Sequence, residues 1–465
     1  MLNVNAHWRI VSRSDRSPFA AGEHSRPLRI VVDDLTVADD EALALMRSFS
    51  ERPTVEIAST RPGASRRVVF GELNDYDLVP VEYILPDGGF NTAVFAGHSW
   101  KEWAERAAQE HQLSEKEAFR ELVLAQFCAR DDVDALITGS AVLQLPMWRK
   151  HAESANVQSA TAAVALLGLH LRANRDFTVR VDGSSTFLRE DQFYRGAAVA
   201  ALTEYPAVLS CAEAIWRQQG DPAGYSLMRG LEVRLGRALR ARDYFQVRIR
   251  SNRPDDTWDD ALFFFEFLLL LLSGALDAAA RFCHVAFGVD GRTFRVSWRN
   301  KDWRKQLLTK EAALASLLAA DGRLVATATV IGLLRNYIHG EALSQEFHFG
   351  DNEGKPLTID FQAGALAVAP EDGERLRLAL APLGSEEDWG IQDGHQGVVL
   401  VLPARFMERA LRATISSISD LMKTIASPLC RARPADLPFD PAYWVPGHEY
   451  ANELRLLAGL QPLGK

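Results

Sequence analysis

The chain has 465 residues, 47% of them hydrophobic and 24% charged, with a formal net charge of −9. That is long enough for two or three domains with cores of their own, and the composition excludes global disorder. An acidic balance argues against a protein coated in nucleic acid and leaves room for a local basic groove.

Residues 1–26 read as a polar tail, with charges where a secretory signal would need an apolar core. The pattern changes at LRIVVDDL (28–35), a β-branched run that stops at two aspartates, as a buried parallel strand does. TVADDEALALMRSF follows with helical periodicity, and Asp39, Asp40 and Glu41 suit its N-terminus. RRVVFGEL and VPVEYILP read as further strands, with PDGG (86–89) as a turn. Two helices are expected over 100–129, broken near Leu113 and Ser114, where Ser114 and Glu117 form a capping box. DVDALITGS (132–140) is a second buried strand and ATAAVALLGLHLRAN (160–174) another helix. This alternation predicts an α/β domain with a parallel sheet over 27–190.

Over 191–345 successive amphipathic or buried segments predict an all-α helical bundle. The apolar run 261–276 carries Glu266 and is expected to be a central buried helix, too short to cross a bilayer of roughly 30 Å. Residues 346–430 hold short β-like runs and a long amphipathic helix (404–426), a small α+β part, and 431–465 form a C-terminal tail. The cysteines at 128, 211, 283 and 430 have no metal or redox spacing, which fits reduced thiols in a cytoplasmic protein without a membrane span. No phosphate-binding Gly-rich loop ending in Lys-Ser or Lys-Thr is present, which argues against an NTPase.

The chemistry concentrates in LLRNYIHGEAL (333–343). With Gly340 as C-cap, Arg335 and His339 are four residues apart and share a helix face, which Asn336 flanks. The negative end of the helix dipole would raise the His339 pKa. Such a set suits metal-independent RNA cleavage, with His339 moving a proton, Arg335 holding the scissile phosphate and Asn336 orienting either. A C-terminal cap built around a satisfied histidine is the competing structural reading.

A second feature is RGLEVRLGRALRARDYFQVRIRSNR (229–253), whose basic residues are all arginines. Arg234, Arg237 and Arg240 recur every third residue, and Arg248 and Arg250 follow. Guanidinium matches phosphate geometry, and Tyr244 and Phe245 could stack on bases. The alternative is a solvated face neutralised by Asp255, Asp256, Asp259 and Asp260. In the N-terminal domain Asp33, Asp34 and Asp134, with Glu121 in support, could bind Mg²⁺ or Mn²⁺ at strand ends. Caps are a common structural role for such acids. His98, His284, Asp393 and His395 carry weaker signals, with loop or core roles expected.

The Arg-Asn start with a following His, late in a helical bundle, resembles the HEPN family of helical, often dimeric ribonucleases of toxin–antitoxin and phage-defence systems. Only three residues separate Arg335 from His339, fewer than that family usually has. The resemblance implies Arg335 and His339 as the catalytic pair, Asn336 as assistant, no cofactor, RNA as substrate, a homodimer and a possible antitoxin partner. Residues 28–170 resemble the PIN nuclease fold through Asp134-Ala-Leu-Ile-Thr138-Gly-Ser140, with Ser140 where that family has an acid. This implies a PIN-like domain whose metal site is degenerate. Two functional readings stay open: an RNA-binding endoribonuclease, and a non-enzymatic binding or scaffold protein with decayed nuclease-like domains.

Overall fold

The computed structural model describes residues 17–19, 25–38, 40–70, 78–87, 89–96, 104–106, 108–109, 114–131, 133–140, 156–181, 184–250, 257–292, 295–340, 345–346, 365–394, 397–431 and 448–460. The chain divides into two compact units, Met1–Thr186 and Phe187–Lys465.

The first unit is built on a mixed sheet of strands β1 (Leu28–Val32), β2 (Val55–Ser59), β3 (Arg67–Phe70), β4 (Leu78–Ile84), β5 (Phe90–Ala96), β6 (Ala135–Ile137) and β7 (Val157–Gln158). Their order is β5-β4-β3-β2-β1-β6-β7. β1 pairs in parallel with β2 and β6, and its buried Leu28, Ile30, Val31 and Val32 form the centre of the sheet. The expectation of a parallel sheet holds for that centre and fails at one side, where β3-β4-β5 are antiparallel. For β4 and β5 the physical reason is the short PDGG turn, closed by Leu85 N–H donating to the Gly89 carbonyl at 2.7 Å. A connection of that length can join only antiparallel neighbours.

Helix α1 (Glu41–Arg47) starts at Asp40, whose side chain accepts from Leu43 N–H. Helix α2 (Glu115–Arg130) starts at Ser114 with the full reciprocal bond to Glu117 that the sequence signals. Its buried Leu122, Val123, Leu124 and Phe127 share a core with Val31 and Leu136 of the sheet. Helix α3 (Ala160–Ala173) holds the buried His170 between the carbonyls of Pro18 and Thr54, at 2.7 and 2.8 Å. Burial pushes the His170 pKa down.

The second unit is mostly helical: α4 (Glu190–Ala200), α5 (Tyr205–Gln219), α6 (Ala223–Arg250), α7 (Thr257–Ala286), α8 (Lys301–Lys310) and α9 (Arg323–Gly340). Helices α6 and α7 form a long antiparallel hairpin, with Gly224 beside Phe282, Tyr244 against Phe264 and Arg248 paired with Asp260. At 30 residues α7 is longer than its apolar run suggested, and Asp259–Ala286 is long and apolar enough to cross a membrane. Half of that stretch is nevertheless buried inside the unit, against α6, α9 and a later helix.

Among the described residues strands β8 (Thr178–Val181) and β9 (Ser184–Phe187) pair with each other alone, and a four-stranded sheet, β10 (Gln345–Glu346), β11 (Ala365–Val368), β12 (Ile391–Asp393) and β13 (Val399–Val401), belongs to the second unit. Helix α10 (Pro370–Leu380) follows β11, α11 (Pro403–Arg431) follows β13, and α12 (Ala451–Leu457) closes the described chain. The hydroxyls of Thr327 and Ser417, 3.1 Å apart in the interior, tie α9 to α11. Cys211 Sγ on α5 lies 2.8 Å from Cys430 Sγ at the end of α11. A thiol oxidant such as diamide should therefore join α5 to α11. Thiol titration after denaturation would fall from the four of the sequence to two, and four remaining thiols would refute the proximity.

Candidate functional site

Helix α9 presents Leu334 to the interior and leaves Leu333 and Arg335 half-buried, with Asn336 exposed. The helix continues unbroken to Gly340, so His339 follows Arg335 by one turn along the backbone. The side chains of Ile338 and His339 lie outside the described residues.

Arg335 is one of four arginines whose charge reaches a single carboxylate. Asp277 on α7 feels Arg281 of the same helix, Arg335 of α9, Arg299 of the segment before α8 and Arg234 of α6. Burial pushes the Asp277 carboxyl up in spite of their pull. Among the described residues none of the four guanidinium groups lies within ion-pairing distance of a carboxylate. Arg335 Nε is buried, and among the described residues it has no hydrogen-bond partner. A buried, unpaired donor costs on the order of 1–3 kcal/mol, a feature Arg335 shares with Arg52, Arg180, Arg304, Arg377, Arg412 and Arg455.

Two glycines make room for the cluster. A Cβ at Gly274 of α7 would fall 2.9 Å from Arg234 Nε, and one at Gly332 of α9 would fall 2.6 Å from Arg299 Nη1. Both guanidinium arms therefore lie flat on helix backbone. The four guanidinium groups outnumber the carboxylate they act on, and the planar fork of arginine suits phosphate oxygens.

The remaining arginines of the 229–253 run divide by role. Arg229 and Arg195 hold the buried Glu232, which also accepts from Tyr205 Oη at 3.0 Å. Arg242 is buried against Asp243 and donates to the Ala458 carbonyl. Arg240 pairs with Glu190 at 3.0 Å, and Arg248 with Asp260 at 3.3 Å. Arg237 and Arg250 are exposed. Of the five arginines proposed for RNA, then, only Arg234 joins Arg335, while Arg240 and Arg248 are drawn into ion pairs. Asp255 and Asp256 lie outside the described residues. Tyr244 and Phe245 do not present free ring faces: Phe245 is fully buried, while Tyr244 lies under Arg240, against Phe264, and donates to Glu190.

In the first unit the three aspartates do not form one ligand set. Asp33 and Asp34 stand at the carboxyl end of β1, whereas Asp134 precedes β6, which runs parallel to β1. Asp134 is thus at the opposite edge, where Arg26 grips it with two bonds of 2.7 Å and Arg29 N–H donates to it. Asp33, fully buried, accepts from Arg120 at 2.5 and 3.3 Å and from Thr36, Thr60 and Thr138. Burial alone would raise its pKa, but Arg120 and the hydroxyls carry it below the usual value. Asp34 accepts from Arg47 and Ser59. Among the described residues no three candidate ligands approach closely enough to hold a metal ion. The donor set therefore does not fit Mg²⁺ or Mn²⁺: Arg120 stands where a cation would bind Asp33. Glu121, buried and raised in pKa by that burial, receives the Ser140 hydroxyl.

His284 is buried and accepts from Trp303 Nε1 at 3.3 Å, a core role. Asp393 pairs with Arg377, and His98 and His395 lie outside the described residues. Sequence reading missed Arg281, Arg299 and Asp277, whose only signal was a pair of glycines inside apolar helices. No protein family, curated protein or solved structure matches this chain.

Proposed function

We propose that the chain is an RNA-binding protein whose helical unit is a metal-independent endoribonuclease of the toxin or phage-defence type, acting as a homodimer. The observation that carries the reading is that Arg234, Arg281, Arg299 and Arg335 all act on the charge of Asp277, with Arg234 laid against Gly274 of α7 and Arg299 against Gly332 of α9. Arg335 would hold the scissile phosphate, and the neighbouring guanidinium groups would offset the charge that grows in the transition state. His339, one turn further along α9, would take the proton of the ribose 2′-hydroxyl or supply one to the leaving oxygen. Asn336 would orient the phosphate or the imidazole. The first unit then serves as a scaffold, since Arg120 already satisfies Asp33.

The test is His339→Ala in buffer containing a chelator. Cleavage of a labelled RNA should fall to background while the affinity for that RNA stays within a fewfold of wild type. Undiminished cleavage would remove His339 from the reaction. Wild-type protein that binds RNA with a steep salt dependence and never cuts it would establish the non-enzymatic reading instead.

A further inference from the structure

The outer face of α7 carries more than the arginine site. Phe263, Phe267, Leu270, Gly274, Asp277 and Arg281 recur at spacings of four and three, and the first and last are five helical turns apart, so all six share one face. Phe263, Phe267 and Leu270 are 63, 39 and 37% exposed. The two phenylalanine rings are nearly parallel, at 10°, with centroids 6.3 Å apart. Phe264 braces Phe263 edge-on at 5.4 Å and is itself packed on Tyr244. The rings are thus held in place from beneath and open above. Leaving two phenylalanines in water forfeits burial that the sequence could have avoided with polar residues.

The same stripe leads straight into positive charge. Arg234 lies across it at Gly274, Arg281 ends it, and Arg299 and Arg335 flank it through Asp277. By helix rise, Phe267 and Asp277 are about 15 Å apart, a span that a few nucleotides bridge. Glu266, on the Phe263 flank, is the carboxylate nearest in sequence to the rings, and burial pushes its pKa up.

We infer that Phe263 and Phe267 form a base-stacking subsite for unpaired nucleotides, on the same RNA strand whose phosphates the four arginines hold; the inference rests on the RNA-binding reading above. Charge complementarity selects an anionic occupant over a neutral apolar partner, because four arginines end the stripe, and a single strand offers flat bases to the rings and phosphates to the arginines along one chain. A duplex is disfavoured since its bases are already stacked on each other. Aromatic rings beside a track of guanidinium groups are what a single strand needs: a π-face for each base and a cation for the backbone.

Full-length protein, Phe263→Ala/Phe267→Ala and Arg281→Glu/Arg299→Glu are titrated against a fluorescein-labelled single-stranded 12-mer RNA and its annealed duplex, with folding checked by circular dichroism. The phenylalanine variant should bind the single strand about tenfold or more weakly, with duplex affinity and salt slope unchanged. If it binds the single strand as wild type does while the arginine variant fails, the stacking subsite is wrong and the RNA-binding reading survives. Wild type that binds neither RNA overturns both. A phenylalanine variant that loses self-association in sedimentation, or loses binding to anionic lipid vesicles, with RNA affinity intact, assigns the face to a second copy or to a membrane and overturns the inference.

Discussion

Arg281→Glu with Arg299→Glu is expected to weaken RNA binding by a factor of about 10² to 10⁴, with the fold intact. Both arginines are exposed, so their reversal buries no new charge. A hydrogen bond to a charged group contributes about 1.5–3 kcal/mol, and two lost together reach that factor at 1.4 kcal/mol per decade. The slope of log affinity against log salt should also become shallower by about two, because two fewer phosphates are neutralised. Filter binding or anisotropy between low and moderate salt measures both quantities. An unchanged slope would mean that the cluster faces something other than a phosphate backbone.

Asp33→Ala should have the largest effect on the first unit, a loss of about 3–5 kcal/mol in unfolding free energy. The mutation removes a fully buried carboxylate and leaves Arg120, itself one-fifth exposed, without its counter-charge. Thr36, Thr60 and Thr138 lose their acceptor as well. Denaturant unfolding would measure the change. A loss below about 1 kcal/mol would show that Arg120 and Asp33 are not the buried pair described. The pH dependence has a definite sign. Because the Asp33 pKa lies below its unfolded value near 3.8, its contribution is fully present above that pH and disappears as pH falls through the folded value.

The arrangement of the site was partly legible from the sequence, and the reasons are local. Ser114 with Glu117 announces the start of α2 because a capping box acts over three residues. The β-branched run before Asp33 announces β1, since a strand covered on both faces needs no polar alternation. Arg335 stood out because an arginine is costly among leucines. Arg281 and Arg299 did not, since Arg281 nears α9 only through the packing of α7 against it, and Arg299 lies on a separate segment that meets α9 at Gly332. The error over Asp134 was one of direction: the residue type suited a ligand, but parallel pairing of β1 with β6 sends it to the far edge of the sheet. Likewise, no spacing rule links Asp33 to Arg120, 87 residues away. Tyr244 looked available for stacking until its own neighbours were in place, whereas Phe263 and Phe267 were hidden inside a run that reads as uniformly apolar.

Gly274 and Gly332 sit mid-helix, where each costs about 0.5–1 kcal/mol relative to alanine. In return Arg234 and Arg299 lie against bare backbone, with their long arms limited to few rotamers before any ligand arrives. A flexible arginine must surrender about 0.5–1.5 kcal/mol of side-chain freedom when an anion immobilises it. Here much of that ordering is already done when the helices pack, so the association entropy should be less unfavourable than for arginines on an open surface.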